Sequence, residues 1–317
     1  MTTSTRHALR MLMVSCALTA LAAPAFANGQ GTPIEPAPDS PAPVMIPSAP
    51  EPAPVMAAPR ARWSGLYIGG HAGYAFMAGG DDETILFDTD RDGAYGDAVR
   101  DVADADIFAP GFCNGTAAGA SAAAGCDDDS GGLDAGLRIG YDWDMDGFVL
   151  GALLEGSYVD MSDSVTAFST APDAYQFTRD LNFLGAARLR AGVTLADDWL
   201  LYATGGIAYG SIDRSFTATN AVNSFTEIED NGGDGSWGWQ AGGGIETMLD
   251  DNWSLGAEYL YTSLGDDAYA IAVGPGTALP TDAFLLVDAG GTNTIRDDDR
   301  FEIHSVRAVL NYRFGAY

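Results

Sequence analysis

The sequence predicts an all-β fold, an eight-stranded antiparallel transmembrane β-barrel with long external loops. Three observations carry this prediction. Apolar residues alternate with small or polar ones in eight segments, aromatic residues cluster at the segment ends, and short and long connections alternate along the chain. Segments of about 10 to 12 residues match a tilted membrane strand, and one apolar face with one polar face is the pattern of a strand between lipid and a barrel interior.

The N-terminal 62 residues precede the alternating segments. Residues 1–27 predict a secretory signal peptide, because Arg6 and Arg10 precede a short apolar run and a small-residue cleavage site. That run is about a dozen residues, too short for a spanning helix of about 20. Residues 28–62 are rich in proline and predict a semi-extended periplasmic leader. It is either a plain spacer or a contact to the cell wall or a periplasmic partner.

The barrel itself is predicted for residues 63–317. Its eight strands present one apolar face and one face of glycine, arginine and other polar residues, which is unusual for a soluble sandwich. A further hairpin from 268–273 and 283–287 leaves ten strands as an alternative. The eight predicted strands are 65–76, 133–143, 148–158, 181–193, 200–210, 237–249, 253–261 and 306–314.

The connections predict the orientation of the barrel. Three of them are only a few residues long, whereas four are long, at about 78–131, 160–179, 211–235 and 265–300. Tight periplasmic turns and long outer loops are typical of bacterial outer-membrane barrels. We therefore expect a location in the outer membrane of a Gram-negative bacterium, with the loops extracellular and both termini periplasmic.

Composition excludes several functions. The chain has 44 acidic and 15 basic residues and a net charge of -29, which disfavours nucleic acid as a partner. Every basic residue is arginine, so the chain lacks the lysine of a P-loop or a Schiff-base enzyme. His71 and His304 are the only histidines beyond the signal peptide, and no loop contains one. We expect no catalysis.

Strand parity places charged residues inside the barrel. Charges in a narrow, poorly hydrated lumen must pair, so we expect a network of ion pairs that fills it. The alternative is a narrow porin-like channel for small solutes. The predicted lumen residues are Arg138, Glu155, Arg188, Arg190, Glu246, Glu258 and Arg307.

The first loop carries two further candidate features. Asp88, Asp90 and Asp92, with possible help from Asp97, follow the start of a calcium-loop pattern in which alternate carboxylates converge. Val99 stands where that pattern wants a glutamate, so a solvated acidic loop is the alternative and no other cofactor is expected. Cys113 and Cys126 are the only cysteines beyond the signal peptide and predict a disulfide bond.

Several segments resemble a known family. The opening strand, Trp63-Ser-Gly-Leu-Tyr-Ile-Gly-Gly-His-Ala-Gly-Tyr74, and the last, Val306-Arg-Ala-Val-Leu-Asn-Tyr-Arg-Phe314, are similar to those of the opacity-type or outer-membrane immunogenic proteins. These are small outer-membrane barrels of the porin family with an OmpA-like barrel. The resemblance implies an eight-stranded surface protein, although Gly315-Ala316-Tyr317 follow the aromatic residue at which the family usually stops.

The prediction for function combines these points. We expect a structural, surface-exposed protein that displays acidic loops. Its expected partners are outer-membrane lipid and lipopolysaccharide, together with the barrel-assembly machinery, which would read the C-terminal strand.

Overall fold

The computed structural model describes residues 62–78, 83–129, 131–196, 198–230, 235–266, 269–298 and 300–314, without the side chains of residues 229 and 230. The predicted signal peptide, 1–27, and all but the last residue of the predicted leader, 28–62, lie outside the described residues. In the described part of the chain, no helix is long and apolar enough to cross a membrane.

Eight antiparallel strands form a closed ring. Each strand pairs with the next along the chain, and β8 returns to β1 in a register that runs from Leu66 opposite Phe314 to Met77 opposite Ile303. This ring confirms the predicted fold and excludes ten barrel strands. The strands are β1 (Gly65–Met77), β2 (Gly132–Asp144), β3 (Phe148–Phe168), β4 (Ala174–Leu195), β5 (Trp199–Ala218), β6 (Gly235–Met248), β7 (Trp253–Gly265) and β8 (Arg300–Phe314).

The outer wall of the ring is apolar. Side chains alternate between wall and lumen because the strand period is two, and wall residues such as Leu137 and Leu189 are 75% and 70% exposed. Aromatic pairs lie near both ends of the wall: Trp253 contacts Tyr312 at the short-turn end, and Tyr209 contacts Trp237 at the opposite, long-connection end. An exposed apolar band between aromatic girdles is the wall of a membrane barrel.

The turn between β2 and β3 explains a second aspartate-rich motif, at 142–147. Asp146 and Gly147 both have positive φ, as a tight hairpin turn with an Asp-Gly sequence requires. The Asp144 carboxylate accepts a hydrogen bond from the Gly147 amide at 3.2 Å. The aspartates here therefore shape a turn.

Most strands are longer than predicted, and three exceed the prediction by nine or ten residues. β3, β4 and β5 have 21, 22 and 20 residues, so the predicted loop at 160–179 is mostly strand and its connection is only 169–173. Beyond Asp163, both faces of β3 are buried. Side chains there meet protein on both sides, so the lipid-facing alternation that marks the rest of the strand is absent.

The long-connection end carries a folded cap. We use this name for the sheet of Ser224–Asp230, Tyr269–Gly274, Thr292–Arg296 and Ile85–Asp88 and for the residues of 83–129 and 269–298 that pack with it. The sheet covers the extended parts of β3 and β4. The possible extra barrel hairpin lies here, as the strand Tyr269–Gly274 and a 3-10 helix at Ala283–Leu285. The shared core consists of Ile85, Phe87, Val99, Phe108, Val165, Ala167, Tyr175, Phe177, Ile271, Val273 and Phe284.

A small hairpin flanks the cap. The strand Gly111–Asn114 pairs with the end of β3, and Thr116–Ala117 pairs with Cys126–Asp127, on either side of a 3-10 helix at Ala122–Ala124. Cys113 and Cys126 form a disulfide bond across it, with their Cα atoms 6.3 Å apart. The disulfide therefore links the hairpin to the strand Gly111–Asn114, which is hydrogen-bonded to β3.

Candidate functional site in the barrel lumen

The lumen holds two layers of ion pairs. In the lower layer, nearer the short turns, Arg190 binds both Asp142 and Glu246, with its Nη1 3.0 Å from Glu246 Oε2. Arg313 donates to Asp142 at 2.8 Å, and Asn311 donates to Glu246 at 2.8 Å. Two arginines thus balance two carboxylates.

Aromatic rings pack against the lower layer. The Arg190 guanidinium lies over Tyr67 and Tyr202, and the Arg313 guanidinium lies over Tyr67 and Trp63 at 4.9 Å from each ring centroid. Such cation-π contacts stabilise a desolvated cation. Trp63 is 1% exposed and belongs to the apolar base of the lumen, which we define as Trp63, Val149, Leu200, Tyr202 and Met248.

The middle layer is built around two glutamates. Glu258 Oε1 accepts from Arg138 at 2.8 Å and from Arg307 at 2.7 Å. Glu155 accepts from Arg188 at 2.9 Å and from Arg307 at 2.6 Å, and it forms an ion pair with Arg138 at 2.9 Å. Asp134 lies 3.5 Å from Arg307 and supplies the third carboxylate. Each side chain in this layer is 2% exposed or less, so the charges must compensate one another within the protein.

The two layers bring together every lumen residue expected from strand parity. They also include Asp134, Asp142 and Arg313, which the sequence analysis did not assign to the lumen. The alternation of side chains, extended to the strand ends, identifies them. Asp134 and Asp142 lie an even number of residues from Arg138, and Arg313 lies an even number from Arg307, so each points to the same side as its arginine. With these three, five arginines face five carboxylates among the described lumen residues.

Above the middle layer, the lumen is apolar. Buried side chains from six of the eight strands close it, in what we call the apolar plug. This part of the interior was expected to be polar, and six of the plug residues lie outside the predicted strands: Val159, Met161, Ile212, Leu264, Phe301 and Ile303. The plug consists of Ala75, Val159, Met161, Leu181, Leu184, Ala208, Ile212, Leu264, Phe301 and Ile303.

An outer ion cluster lies between the plug and the cap. Arg179 binds Asp163, Asp266 and Asp298 at 2.5 to 3.2 Å, Arg296 binds Asp163 and Glu83, and Arg214 binds Asp266. This cluster connects the ends of the long strands to the chain segments that lead into the cap sheet. Its residues come from six separate segments between positions 83 and 298, so no local pattern predicts it.

His71 lies in the lumen beside a serine hydroxyl group. Its Nε2 lies 2.9 Å from Ser157 Oγ and 3.3 Å from an Asp134 carboxylate oxygen. A nucleophile-base-carboxylate triad needs the hydroxyl and a hydrogen-bonded carboxylate on opposite ring nitrogens. Here the hydroxyl and Asp134 both face Nε2, and the carboxylate nearest Nδ1, that of Glu155, is 3.7 Å away and makes no hydrogen bond to it. His304 lies on the outer wall, where its Nδ1 is 2.6 Å from the Tyr259 hydroxyl and Phe76 and Tyr261 pack against its ring.

In the cap, the predicted calcium residues are only partly convergent. The carboxylates of Asp88, Asp90 and Asp97 place ligand oxygens within 4.8 Å of one another, whereas the Asp92 carboxylate is not in this group and accepts from the Ala94 amide. Asp88 is buried and accepts from the amides of Asp92 and Gly93. Hydrogen bonds from the Thr89 amide and hydroxyl lower the pKa of Asp97.

A closed antiparallel barrel with an apolar wall and a charged lumen defines the class of outer-membrane β-barrel proteins. The chain matches the family described as Outer membrane protein beta-barrel domain over residues 52–314, and it belongs to this family. This confirms the family resemblance and the outer-membrane location.

The chain is similar to two named relatives and to solved outer-membrane proteins. The chain is 28% identical over 272 residues to the 31 kDa outer-membrane immunogenic proteins of Brucella melitensis and Brucella suis, covering 86% of this chain and 90% of each relative. Among solved structures, OprG from Pseudomonas aeruginosa matches 79% of this chain and 97% of its own, at 13% identity and a TM-score of 0.43. Ail of Yersinia pestis matches 79% and 99%, at 10% identity and a TM-score of 0.29.

Proposed function

We propose that the protein is a non-conducting outer-membrane anchor that holds a folded, acidic cap at the cell surface. The observation that carries this proposal is the closure of the lumen at successive levels by the apolar base, the two ion layers and the apolar plug. An eight-stranded barrel has an interior just wide enough for side chains, and here side chains fill it. A continuous hydrated path would require several of these levels to move together.

The cap has the features of a displayed structure. It shares an apolar core with the extended parts of β3 and β4, and it has a disulfide-closed hairpin beside it and an ion cluster beneath it. We propose that the cap end is extracellular and the short-turn end periplasmic, as the long and short connections favour. Loops held in this way present a fixed surface, which suits recognition better than a set of independent flexible loops would.

Catalysis is not part of the proposal. Ser157, which carries the hydroxyl beside the lumen histidine His71, is 2% exposed and lies inside the lumen, so a substrate has no route to it in this arrangement. The His71 ring is held among carboxylates that already bind arginines.

Single-channel conductance of the refolded protein in a planar bilayer tests the proposal. Heat-modifiable gel mobility first establishes that the barrel is folded. We expect no discrete openings from the wild type at either polarity. Openings in the wild type that change in Arg188→Ala or Glu246→Ala would show a path through the lumen layers and replace the anchor with the narrow channel.

A further inference from the structure

The connections at the far end of the cap meet at one tip. The strands of the cap sheet end together there, because Ser224 lies opposite Gly274 and Asn293 lies opposite Asp88. The connection between β3 and β4 joins this end through a hydrogen bond to the connection that follows β5. The tip consists of the connections 89–97, 169–173, 219–223 and 275–291.

The length of β5 places the tip beyond the apolar wall. β5 runs from the short-turn end of the barrel to the tip and has 20 residues. A strand of this length rises about 50 Å along the axis of a barrel whose strands tilt by about 35–45°. The apolar band of a membrane barrel is about 25 Å tall, so the tip extends about 20 Å beyond it. Exposed side chains at the tip therefore face water.

Four aliphatic side chains are exposed at the tip. Leu279 and Val287 are 72% and 64% exposed, close to the exposure of the lipid-facing leucines of the barrel wall. Val222 and Leu286 are 48% and 39% exposed. We call these four residues the apolar tip patch. Exposed apolar side chains that cluster on a water-facing surface are typical of sites that bind another molecule.

Hydrogen bonds hold the segments of the patch together. The Val222 carbonyl accepts from the Thr277 amide at 2.7 Å, two residues before Leu279. The Leu279 carbonyl accepts from the Asp282 amide at 2.8 Å, and the Asp282 carboxylate accepts from the Asn223 side chain at 3.3 Å. Asp282 also caps the 3-10 helix that leads directly into the last two residues of the patch. The four side chains therefore belong to one surface.

The rim of the patch is acidic. The four connections of the tip contain six aspartates and one arginine, a net charge of -5. This arginine, Arg91, packs beside Gly290, so the aspartate-rich loop of the predicted calcium residues borders the patch. Asp288 follows Val287 directly. An occupant of this surface must bring apolar groups for the patch and positive charge for its rim.

This requirement selects one occupant. Anionic lipid and a second copy of the same tip would each place further negative charge against the rim, and like charges across an interface are repulsive. A segment of protein can carry large apolar side chains and cations only a few residues apart.

We propose that the apolar tip patch binds a segment of a partner protein in which large apolar side chains lie next to lysine or arginine. This inference rests on the proposed function, because the tip must face the outside of the cell, and it names the kind of partner that the displayed cap recognises.

Selection from a random 12-residue peptide library displayed on phage tests the patch. The target is the refolded, full-length mature protein in nanodiscs of lipid without net charge, with EDTA present, and empty nanodiscs remove unspecific binders. We expect the enriched peptides to combine large apolar side chains with lysine or arginine. As synthetic peptides, they should bind more weakly as the salt concentration is raised.

Three variants and one matched control locate the binding. Leu279→Ser and Val287→Ser each remove an exposed side chain of the patch, and each should weaken a selected peptide about tenfold or more. Asp288→Asn removes one charge from the rim and should reduce the salt dependence. The control is Ile228→Ser, because Ile228 is 47% exposed on the cap strand Ser224–Asp230, about 13 Å along the strand from the tip. It should bind as the wild type does.

Four results would overturn the proposal. One is a folded wild type that enriches no peptide over empty nanodiscs. Another is a set of peptides that bind Leu279→Ser and Val287→Ser as tightly as the wild type. The third is enrichment of apolar peptides that are acidic or uncharged, because the rim would then play no part. The last is self-association of the wild type that Leu279→Ser abolishes, which would identify a second copy as the occupant.

A separate experiment tests the orientation on which the proposal rests. Leu279→Cys in whole cells is treated with a membrane-impermeant maleimide, and we expect labelling. Absence of labelling would refute display at the cell surface, and with it the proposed partner. A labelled tip without peptide binding would refute the binding patch alone.

Discussion

Glu258 is the central carboxylate of the middle layer, and its removal gives a quantitative test of the lumen network. Its carboxylate binds Arg138, Arg307 and the Tyr202 hydroxyl. Glu258→Gln leaves three buried arginines facing only Glu155 and Asp134. Breaking a buried ion pair from one side costs about 3–5 kcal/mol, and we expect a loss of unfolding free energy of this size.

A second substitution should restore much of this loss. Arg138 Nη2 donates to Glu258 and forms an ion pair with Glu155, and its Nε and Nη1 are buried without hydrogen-bond partners among the described residues. Arg138→Met removes one cation, and Glu155 keeps Arg188 and Arg307. The double variant should therefore be more stable than the sum of the single losses implies, with a coupling of about 1–3 kcal/mol.

Equilibrium urea unfolding in phospholipid vesicles, followed by tryptophan fluorescence, measures these free energies. Glu302→Gln is the matched control, because Glu302 is half-buried on β8 and its carboxylate accepts a hydrogen bond from the Ser263 hydroxyl at 3.1 Å. It should cost less than about 1 kcal/mol. A similarly small cost for Glu258→Gln, or strict additivity in the double variant, would refute the reasoning from a charge-balanced lumen.

Further predictions concern the cap. We propose weak calcium binding at Asp88, Asp90 and Asp97, with a dissociation constant of about 10⁻⁴–10⁻³ M. Terbium luminescence should show binding in the wild type and in the control Asp104→Asn but not in Asp90→Asn. The absence of a signal in the wild type would exclude the site. Burial, with a contribution from the nearby Asp163 charge, raises the pKa of Asp129 to about 7. Because this folded-state pKa lies above the ordinary value, the stabilising protonated form is lost as pH rises through about 7, and the hairpin at 111–129 should open more readily at pH 8 than at pH 6. Hydrogen exchange corrected for intrinsic rates measures this opening. Asp129→Asn should flatten its pH dependence, and an unchanged slope would contradict the prediction. Cys113→Ser with Cys126→Ser should speed exchange in the same hairpin by removing its cross-link, while amides of β1 and β8 keep their protection; loss of barrel protection would show a wider role.

The barrel was predictable because its signal is local. Period-two alternation and strand parity need only one strand at a time, and they identified Arg188 and Glu246 as facing inward. The pairing partners were not predictable, since they depend on the stagger between strands. Arg138 lies directly opposite Glu155 on the neighbouring strand, but Arg307 reaches the same glutamate from another part of the ring.

The cap was not predictable for a related reason. Its strand Ile85–Asp88 pairs with Thr292–Arg296, about two-thirds of the chain away, and short strands without a lipid-facing pattern resemble loops. The same limit applies to the long strands β3 and β4. Where protein covers both faces, the hydrophobic alternation that reveals a lipid-exposed strand no longer distinguishes strand from loop.

The distribution of arginine connects the fold with the acidity of the surface. Five arginines lie in the lumen layers and three in the outer ion cluster, out of 15 in the whole chain. Each of these eight binds buried or half-buried carboxylates, so little of their charge reaches solvent. The arginines that neutralise carboxylates inside the barrel are therefore not available to offset the acidic residues of the cap. An acidic surface follows, and a macromolecular partner of the proposed display surface should carry basic residues or be bridged by divalent cations.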